Sequence, residues 1–505
     1  MSREKRMNTE KRETLDRTLK PHWVWAIALG SSIGWGSFVM PATWMGQAGP
    51  AGVIIGLGIG ALLMAIIAIS YGVLIRNFPV SGGEFAYAFL GLNRTHAFIS
   101  GWFLTLGYIC IVALNATAFA LMLKFIFPDF IQQGKLYEVA GWEVYITEIV
   151  IVSTLILLFA VMNIRGSSLS GRMQFFFCLL LILAVVTVSS FMVGSPETSL
   201  DNLSPAFAPD ISTIGAILTI VAIAPFAYVG FDNVPQAAEE FNFSSKKALT
   251  LIMLAVIFAW VIYTLMIAAT AVATPWIGTS EAGYLWGTGT VVQEILGTWG
   301  LVVLAIGLSM GIFTGLNGFM ISSSRVLFAM SRGKVLPSAF SRLHKKHNTP
   351  YWGIIFTAIV VLIAPFFGRN VLGWVVDMSS VGVSIAYFYT CFTAYKILRW
   401  KDDGEVDTAR EIVSPGKKFI AMLGMISSIG FLLLLLVPGS PAVLGKESFI
   451  ALGIWIVVGL VFYLVKRKDL MSYKRKDLAY FILGKDQFNL KDSKDEEKEF
   501  TDGAV

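Results

Sequence analysis

Apolar residues run along this chain in long blocks separated by short polar connections. A run of about 18 or more apolar residues crosses a bilayer as a helix. Twelve such runs can be placed, at 23–48, 52–75, 96–127, 144–162, 174–193, 212–240, 248–273, 298–324, 350–367, 372–395, 419–437 and 448–465. Spans 3, 6 and 8 are longer than a bilayer requires, which predicts tilt, kinks or breaks. Residues 1–22 form a polar N-terminal tail, and 466–505 mix Lys, Asp and Glu densely enough to read as a solvated extension. The fold class is therefore an all-α integral membrane protein, in keeping with 56% hydrophobic and only 14% charged residues.

Charge fixes the expected orientation. Of the 39 Lys and Arg residues, all but Lys124, Lys135, Arg369 and Lys446 lie in the two tails or in even-numbered connections. By the positive-inside rule both termini face the cytoplasm, as in a multi-pass protein of the cytoplasmic membrane. The net charge of +6 follows from this topology and marks no nucleic-acid-binding face. The first span lacks a following small-residue cleavage site and reads as an anchor rather than a removed signal. Cys110, Cys178 and Cys391 fall within spans, where free thiols pack as small apolar groups. They give neither a disulfide framework nor a metal cluster.

Two spans carry residues ill-suited to a membrane helix. Span 1 contains "GSSIGWGSF" at 30–38, and span 6 contains "APFAYVGFDNVPQAAEEF" at 224–241. Glycine weakens a helix by about 1 kcal/mol relative to alanine, and serine competes for backbone hydrogen bonds. Gly30 and Gly34 alone would suit close helix packing. In both spans, however, a glycine stands five residues before a proline, Gly36 before Pro41 and Gly230 before Pro235. Broken helices in corresponding places of two five-span halves, 23–193 and 212–395, point to a secondary transporter built from inverted repeats. Residues 419–465 then add two further spans. A half-helix starting after Gly36 presents free N–H groups and a positive dipole end, suited to a carboxylate. The first half of span 6, ending near Phe226–Tyr228, presents free carbonyls suited to an ammonium group.

With these breaks, "FPVSGGEFAYAFLG" after span 2 and "SSSRVLFAMSRGKVLP" with "HNTPYWGI" across spans 8 and 9, the chain from residue 20 to about 466 resembles the amino acid/polyamine/organocation (APC) superfamily of transporters. The resemblance implies a LeuT-like five-plus-five inverted repeat with helices 1 and 6 broken, and alternating access. It implies that Ser31, Ser32, Gly34, Trp35, Gly36 and Ser37 receive the substrate carboxylate, and that the carbonyls of Phe226, Ala227 and Tyr228, beside Gly230, receive its amino group. Phe226 matches an aromatic that closes over substrate from outside; Asn115 matches a polar contact position in span 3, and Phe319 a pocket aromatic in span 8. Tyr108, about two turns before Asn115, would face the same cavity. Proton-coupled members commonly carry a span-5 lysine seven residues after a glutamine matched by Gln174, and that position is Leu181. No organic cofactor is implied; the coupling ion is left as H+ or Na+, with Ser322, Ser323 and Ser324 as hydroxyls either for a sodium site or for helix packing.

Ionisable residues within spans are functional hypotheses by default. Asp232, Glu239 and Glu240 are coupling or gating positions in this sense. Asp232 either takes a proton, bonds Tyr108 or meets a cationic side chain, or it caps the second half-helix with Asn233 and Gln236 at capping-box spacing. Glu239, Glu240 and Glu84 lie toward the cytoplasmic side, within reach of Arg76, Lys246 and Lys247 as gate pairs or interfacial salt bridges.

Gly30-Ser31-Ser32-Ile33-Gly34 formally fits the nucleophile elbow of serine hydrolases, which needs a strand-to-helix turn and a histidine base. His22, His96, His344 and His347 all lie at span ends or in loops, so an intramembrane hydrolase is the remote alternative. The other alternative is a substrate-gated sensor on the same fold. "GLGIG" at 56–60 lies inside a span with no strand before it and reads as helix packing. The expected partners are a small amino acid or amine, of which Phe226, Tyr228, Phe231 and Phe319 favour a neutral or aromatic side chain and Asp232 a basic one, and the lipid bilayer. Nothing in the pattern of residues fixes an oligomeric state.

Overall fold

The computed structural model describes residues 12–139, 141–368, 371–398, 415–440 and 442–484. Arg369, the first eleven residues and the tail beyond Gly484 lie outside them. The principal helices are α1 Pro21–Ile33, α2 Gly36–Val39, α3 Pro41–Asn77, α4 Gly83–Gly91, α5 Arg94–Ile126, α6 Ile146–Ile164, α7 Ser167–Val193, α8 Thr213–Ala222 and α9 Ala224–Tyr228. They continue as α10 Asn233–Gln236, α11 Ala248–Ala273, α12 Gly287–Arg332, α13 Tyr351–Val361, α14 Val371–Ile397, α15 Pro415–Leu436, α16 Lys446–Met471 and α17 Arg475–Leu483. Strands β1 Lys135–Val139 and β2 Trp142–Tyr145 pair antiparallel as a hairpin between α5 and α6.

Among the described residues nine helices are long and apolar enough to cross a membrane. The expected spans that fall short of that length as single helices are 1, 6 and 9. Spans 1 and 6 are each split into separate helices, and span 9 ends as α13 with a short 3-10 turn, Ala364–Phe366. The end of span 1 and all of span 2 share α3, which bends at Gly49, φ 71°, just before Pro50. A second bend, at Gly297 with φ 66°, separates the start of α12 from the part that crosses as span 8. At both bends a backbone that other residues rarely adopt is assigned to glycine.

The central helices are α5 and the second half of α12, whose residues from Gly311 onward are mostly buried. Helix α12 runs along both α7 and α5, α14 lies against α5, and α11 against α3. Leu157 and Leu158 on α6, Leu183 on α7, and Ile454 and Val457 on α16 are exposed. Such apolar side chains at the rim of the bundle suit contact with lipid.

One face of the bundle is held by ion pairs and a strap of N-terminal chain. Leu19 pairs with the segment after span 6, its N–H donating to the Glu240 carbonyl at 2.9 Å and its carbonyl accepting from Asn242 at 3.1 Å. The Arg325 Nε donates to Glu240 at 2.8 Å, both side chains being buried. Arg332 grips Glu239 with two bonds of 2.9 Å, and Arg12 from the strap joins the same carboxylate. Arg12 also donates to the Phe481 carbonyl of α17 at 3.2 Å, so both ends of the described chain meet here. Among the described residues the cations that reach Glu239 and Glu240 are thus Arg12, Arg332 and Arg325, which corrects the pairing with Arg76, Lys246 and Lys247 expected from their place on the same side of the membrane. Arginine suits these positions because its planar fork meets a carboxylate with two donors.

Removing one partner of a buried pair strands the other's charge, at a cost of about 3–5 kcal/mol, whereas replacing both with apolar residues is often neutral. Arg325→Met is therefore expected to lower the unfolding midpoint of the detergent-purified protein markedly, and Arg325→Met with Glu240→Leu to recover most of it. Additive losses in that double-mutant cycle would show that the pair is not coupled.

Candidate functional site

The glycine-rich stretch of span 1 stops being helical where its sequence is weakest. Helix α1 ends at Ile33; Gly34 takes φ 50°, ψ −140°, its N–H returning to the Gly30 carbonyl at 2.9 Å. The chain resumes as α2 at Gly36. The N–H groups of Trp35, Gly36 and Ser37 find no backbone acceptor among the described residues. In span 6, α9 ends at Tyr228 and Gly230 takes φ 132° before α10 begins at Asn233. No backbone donor reaches the carbonyls of Phe226 and Ala227 among the described residues. One break leaves open donors, the other open acceptors.

The two breaks touch. A Cβ added to Gly230 would overlap the Ser32 nitrogen and would lie 2.7 Å from the Ser31 carbonyl carbon. The hydroxyl of Ser32 donates across to the Tyr228 carbonyl at 3.0 Å. Tyr263 of α11 donates to the Ile33 carbonyl at 3.1 Å, and Thr314 of α12 to the Gly30 carbonyl at 2.9 Å. The Tyr263 hydroxyl satisfies the Ile33 carbonyl, which the end of α1 would otherwise leave unpaired, and Thr314 adds a second bond to the Gly30 carbonyl already held by the Gly34 N–H. A third surface comes from α12, whose Gly311, Gly315 and Gly318 leave room for the Gly34 carbonyl, the Asn115 side chain and the Ser31 hydroxyl respectively.

Several of the polar atoms here are buried with no partner. They are the hydroxyls of Ser31 and Ser37, Oδ1 of Asn115, and both side-chain atoms of Asn233. The Asn115 amide nitrogen donates only to its own helix, to Ile111 at 2.8 Å, and its oxygen lies near Gly34. Buried polar groups are nearly always satisfied, and a cluster of exceptions calls for an explanation. A polar solute lying against the breaks supplies one.

The aromatic residues separate into two groups. Phe226 faces Trp35, ring centroids 6.3 Å apart, and Phe319 faces Tyr108 at 5.5 Å. Tyr228 instead donates to the Leu57 carbonyl of α3 at 2.8 Å, and Phe231 packs on Tyr71 and on Tyr387 of α14. An aromatic pocket drawing on all four of Phe226, Tyr228, Phe231 and Phe319 is therefore corrected: Phe226 and Tyr228 stand two residues apart on α9 and so on different faces, and Phe231 lies beyond the end of that helix.

Asp232 does not cap the helix that follows it. Its Oδ1 accepts from the Gly230 N–H at 2.7 Å and its Oδ2 from the Tyr108 hydroxyl at 2.9 Å, so the carboxyl holds the break itself. The capping-box reading of Asn233 and Gln236 fails with it: Asn233 already lies inside α10, and Gln236 binds Glu84. Glu84 is wholly buried and is bound by Tyr71 at 2.6 Å as well as by Gln236, so it is not part of a charged inner surface. Ser323 turns to Thr357 of α13 at 3.0 Å and Ser324 to its own helix, while the Ser322 hydroxyl is buried without a partner.

The sequence reading missed Thr314, Tyr263 and the glycines of α12. The small residues at 311, 315 and 318 carry the spacing of close helix contact, and that signal was available. A satisfied polar knot beside them was also missed: Gln174 donates to the Ala26 and Thr314 carbonyls, both at 3.2 Å, and accepts from Asn317 at 2.7 Å.

A profile of the family described as "Amino acid permease" matches residues 23–462, nearly the whole chain. The chain belongs to the amino acid permease family. Relatives of this family member include the branched-chain amino acid permease BcaP of Bacillus subtilis (strain 168), 25% identical over 90% of this chain and 94% of its own. The methylthioribose transporter of the same organism is 28% identical over 92% and 96%. The aromatic amino acid transport protein AroP of Escherichia coli O157:H7 is 24% identical over 92% and 98%. The relatives are transporters, and with them the intramembrane hydrolase drops out; the protein is a multi-pass membrane protein and not an enzyme.

Gly230→Ala combines a left-handed backbone, which costs a side-chain-bearing residue about 1–3 kcal/mol, with a Cβ driven into Ser31 and Ser32. The variant is expected to insert into the membrane normally and to lose solute binding in a thermal-shift assay. Binding at wild-type strength would separate the breaks from the site.

Proposed function

We propose that this permease family member is a secondary transporter that carries amino acids, preferentially those with neutral side chains, or closely related amines across the cytoplasmic membrane by alternating access, as symporter or exchanger. The single observation that carries this reading is the contact of the two breaks, with unpaired N–H groups of residues 35–37 on one side and unpaired carbonyls of Phe226 and Ala227 on the other. A free amino acid bears a carboxylate and an ammonium group on one carbon, and these demand donors and acceptors side by side. Twelve spans, a LeuT-like five-plus-five inverted repeat and two cytoplasmic termini complete the reading, supported by the sequence pattern and the family.

Phe226 with Trp35 and Phe319 with Tyr108 offer apolar surface to a side chain, while Asp232 is engaged by the Gly230 N–H and Tyr108. A carboxyl already bonded in this way leaves less for a cationic side chain, which favours neutral cargo. The names of two relatives, for branched-chain and for aromatic amino acids, agree with that preference. The sodium-site role of Ser322 and Ser323 has less support, since Ser323 is engaged by Thr357.

A ligand that binds only the folded state raises its melting temperature. Detergent-purified protein screened against the amino acids, common polyamines and methylthioribose is expected to be stabilised selectively by neutral amino acids, with labelled amino acid exchanging into preloaded vesicles. Stabilisation by methylthioribose alone would contradict the amino acid assignment, and binding without any flux would favour a sensor.

A further inference from the structure

Beneath the two breaks runs a chain of hydrogen bonds that links two buried carboxyl groups. The Gly230 N–H donates to Asp232 Oδ1 at 2.7 Å, and Tyr108 donates to Asp232 Oδ2 at 2.9 Å. Gln236 Nε2 faces the Tyr108 hydroxyl at 3.4 Å and donates to Glu84 Oε2; Tyr71 donates to Glu84 Oε1 at 2.6 Å. Tyr71, Glu84, Tyr108, Asp232 and Gln236 are all fully buried. The chain starts at the unwound segment of span 6 and ends at the first turn of α4, next to the connection that follows α3. Phe78, Pro79 and Val80 of that connection line a cavity of about 540 Å³ with Arg12 and Glu239. The chain therefore leads from the proposed solute site toward the face closed by the strap.

Every group facing the two carboxyls is neutral. From α3 comes Tyr71, from α4 Tyr87, from α5 Tyr108, from α10 Gln236 and from α14 Tyr387, whose ring lies 6.1 Å from that of Tyr71. Among the described residues no Lys, Arg or His is a hydrogen-bond or ion-pair partner of either carboxyl. The arginines of α12, Arg325 and Arg332, are bound to Glu240 and Glu239. An ionised carboxylate buried without a cation is strongly penalised even after relaxation, and two such anions on one hydrogen-bonded chain also repel.

We propose that Glu84 and Asp232 form a shared proton-binding site, the two carboxyls being joined by Gln236, which donates to Glu84 and to Tyr108, and by Tyr108, which donates to Asp232, and that this proton couples transport. The inference rests on the transporter reading above and names its coupling ion. A proton enters the pair from the aqueous phase on one side of the membrane and leaves to the other, with no covalent bond to the solute made or broken. Asp232 ties the proton to the machinery, because the same carboxyl holds the Gly230 N–H and so the shape of the span-6 break. Glu84 touches neither break and acts as the store.

The test uses full-length protein in proteoliposomes loaded with a pH-sensitive dye, with labelled L-isoleucine and L-phenylalanine as probes. For wild type, an outside-acid gradient is expected to drive accumulation accompanied by internal acidification. E84Q is expected to lose gradient-driven accumulation and acidification while keeping exchange between labelled and unlabelled amino acid, and E84D to restore coupling. Gradient-driven accumulation at the wild-type level in E84Q would overturn the proposal, as would a folded E84Q that loses exchange together with accumulation. If neither amino acid exchanges even in wild type, the substrate reading fails and the proton site is judged by infrared spectroscopy alone. A protonated-carboxyl band at neutral pH in wild type that is missing in E84Q upholds it, and its absence from wild type overturns it. The wild-type measurement stands even if E84Q does not fold.

Discussion

The structure depends on one constraint: inside a bilayer every backbone N–H and C=O must be satisfied within the protein. A helix obeys it automatically, and a broken helix obeys it only if other chain covers the break. Here each break is covered chiefly by the other. The Cα of Gly230 sits against the Ser31–Ser32 backbone, and the Ser32 hydroxyl closes on the Tyr228 carbonyl. Tyr263 and Thr314 satisfy the carbonyls of Ile33 and Gly30. What remains unpaired, the N–H groups of 35–37 and the carbonyls of 226 and 227, is the hydrogen-bonding capacity from which a solute site can be built.

The same constraint explains why glycine appears on α12. A third helix must approach two pieces of irregular backbone closely, and side chains at Gly311, Gly315 and Gly318 would collide with the Gly34 carbonyl, Asn115 and Ser31. Small residues on one helix thus allow irregularity on another. At the face held by the N-terminal strap the solution is different: charged groups are buried as bidentate pairs, Arg332 with Glu239 and Arg325 with Glu240. Such pairs are weak evidence for stability in themselves, but removing one partner leaves the other's charge buried and uncompensated.

Much of this was legible in the sequence. Apolar run length marks where helices lie, and the kinks at Gly49 and Gly297 fall beside expected span boundaries. Glycine, serine and proline inside spans 1 and 6 mark the interruptions, because no other reason for that composition at that depth applies to both. Which glycine carries the joint was not legible: the G-x-G of Gly34 and Gly36 permits either, and the packing of α11 and α12 against the Gly30 and Ile33 carbonyls decides for Gly34. The partners of the acidic residues were not legible either. A shared side of the membrane offered Arg76, Lys246 and Lys247, whereas the cations that arrive come from the N-terminal strap and from α12. Glu84 shows the limit most clearly, since a glutamate after two glycines at the end of a connection resembles a surface residue until α3, α5 and α10 close around it.

Whether the touching breaks hold the solute is decided by substrate protection. Cys110, Cys178 and Cys391 are buried free thiols, so a cysteine introduced at Ser31 can be followed with a small polar thiol reagent in a background where these three are replaced. The amino acid that stabilises wild type is expected to slow modification of Ser31→Cys in proportion to its occupancy. Modification at an unchanged rate, in a variant that still exchanges that amino acid, would place the solute elsewhere and contradict the account.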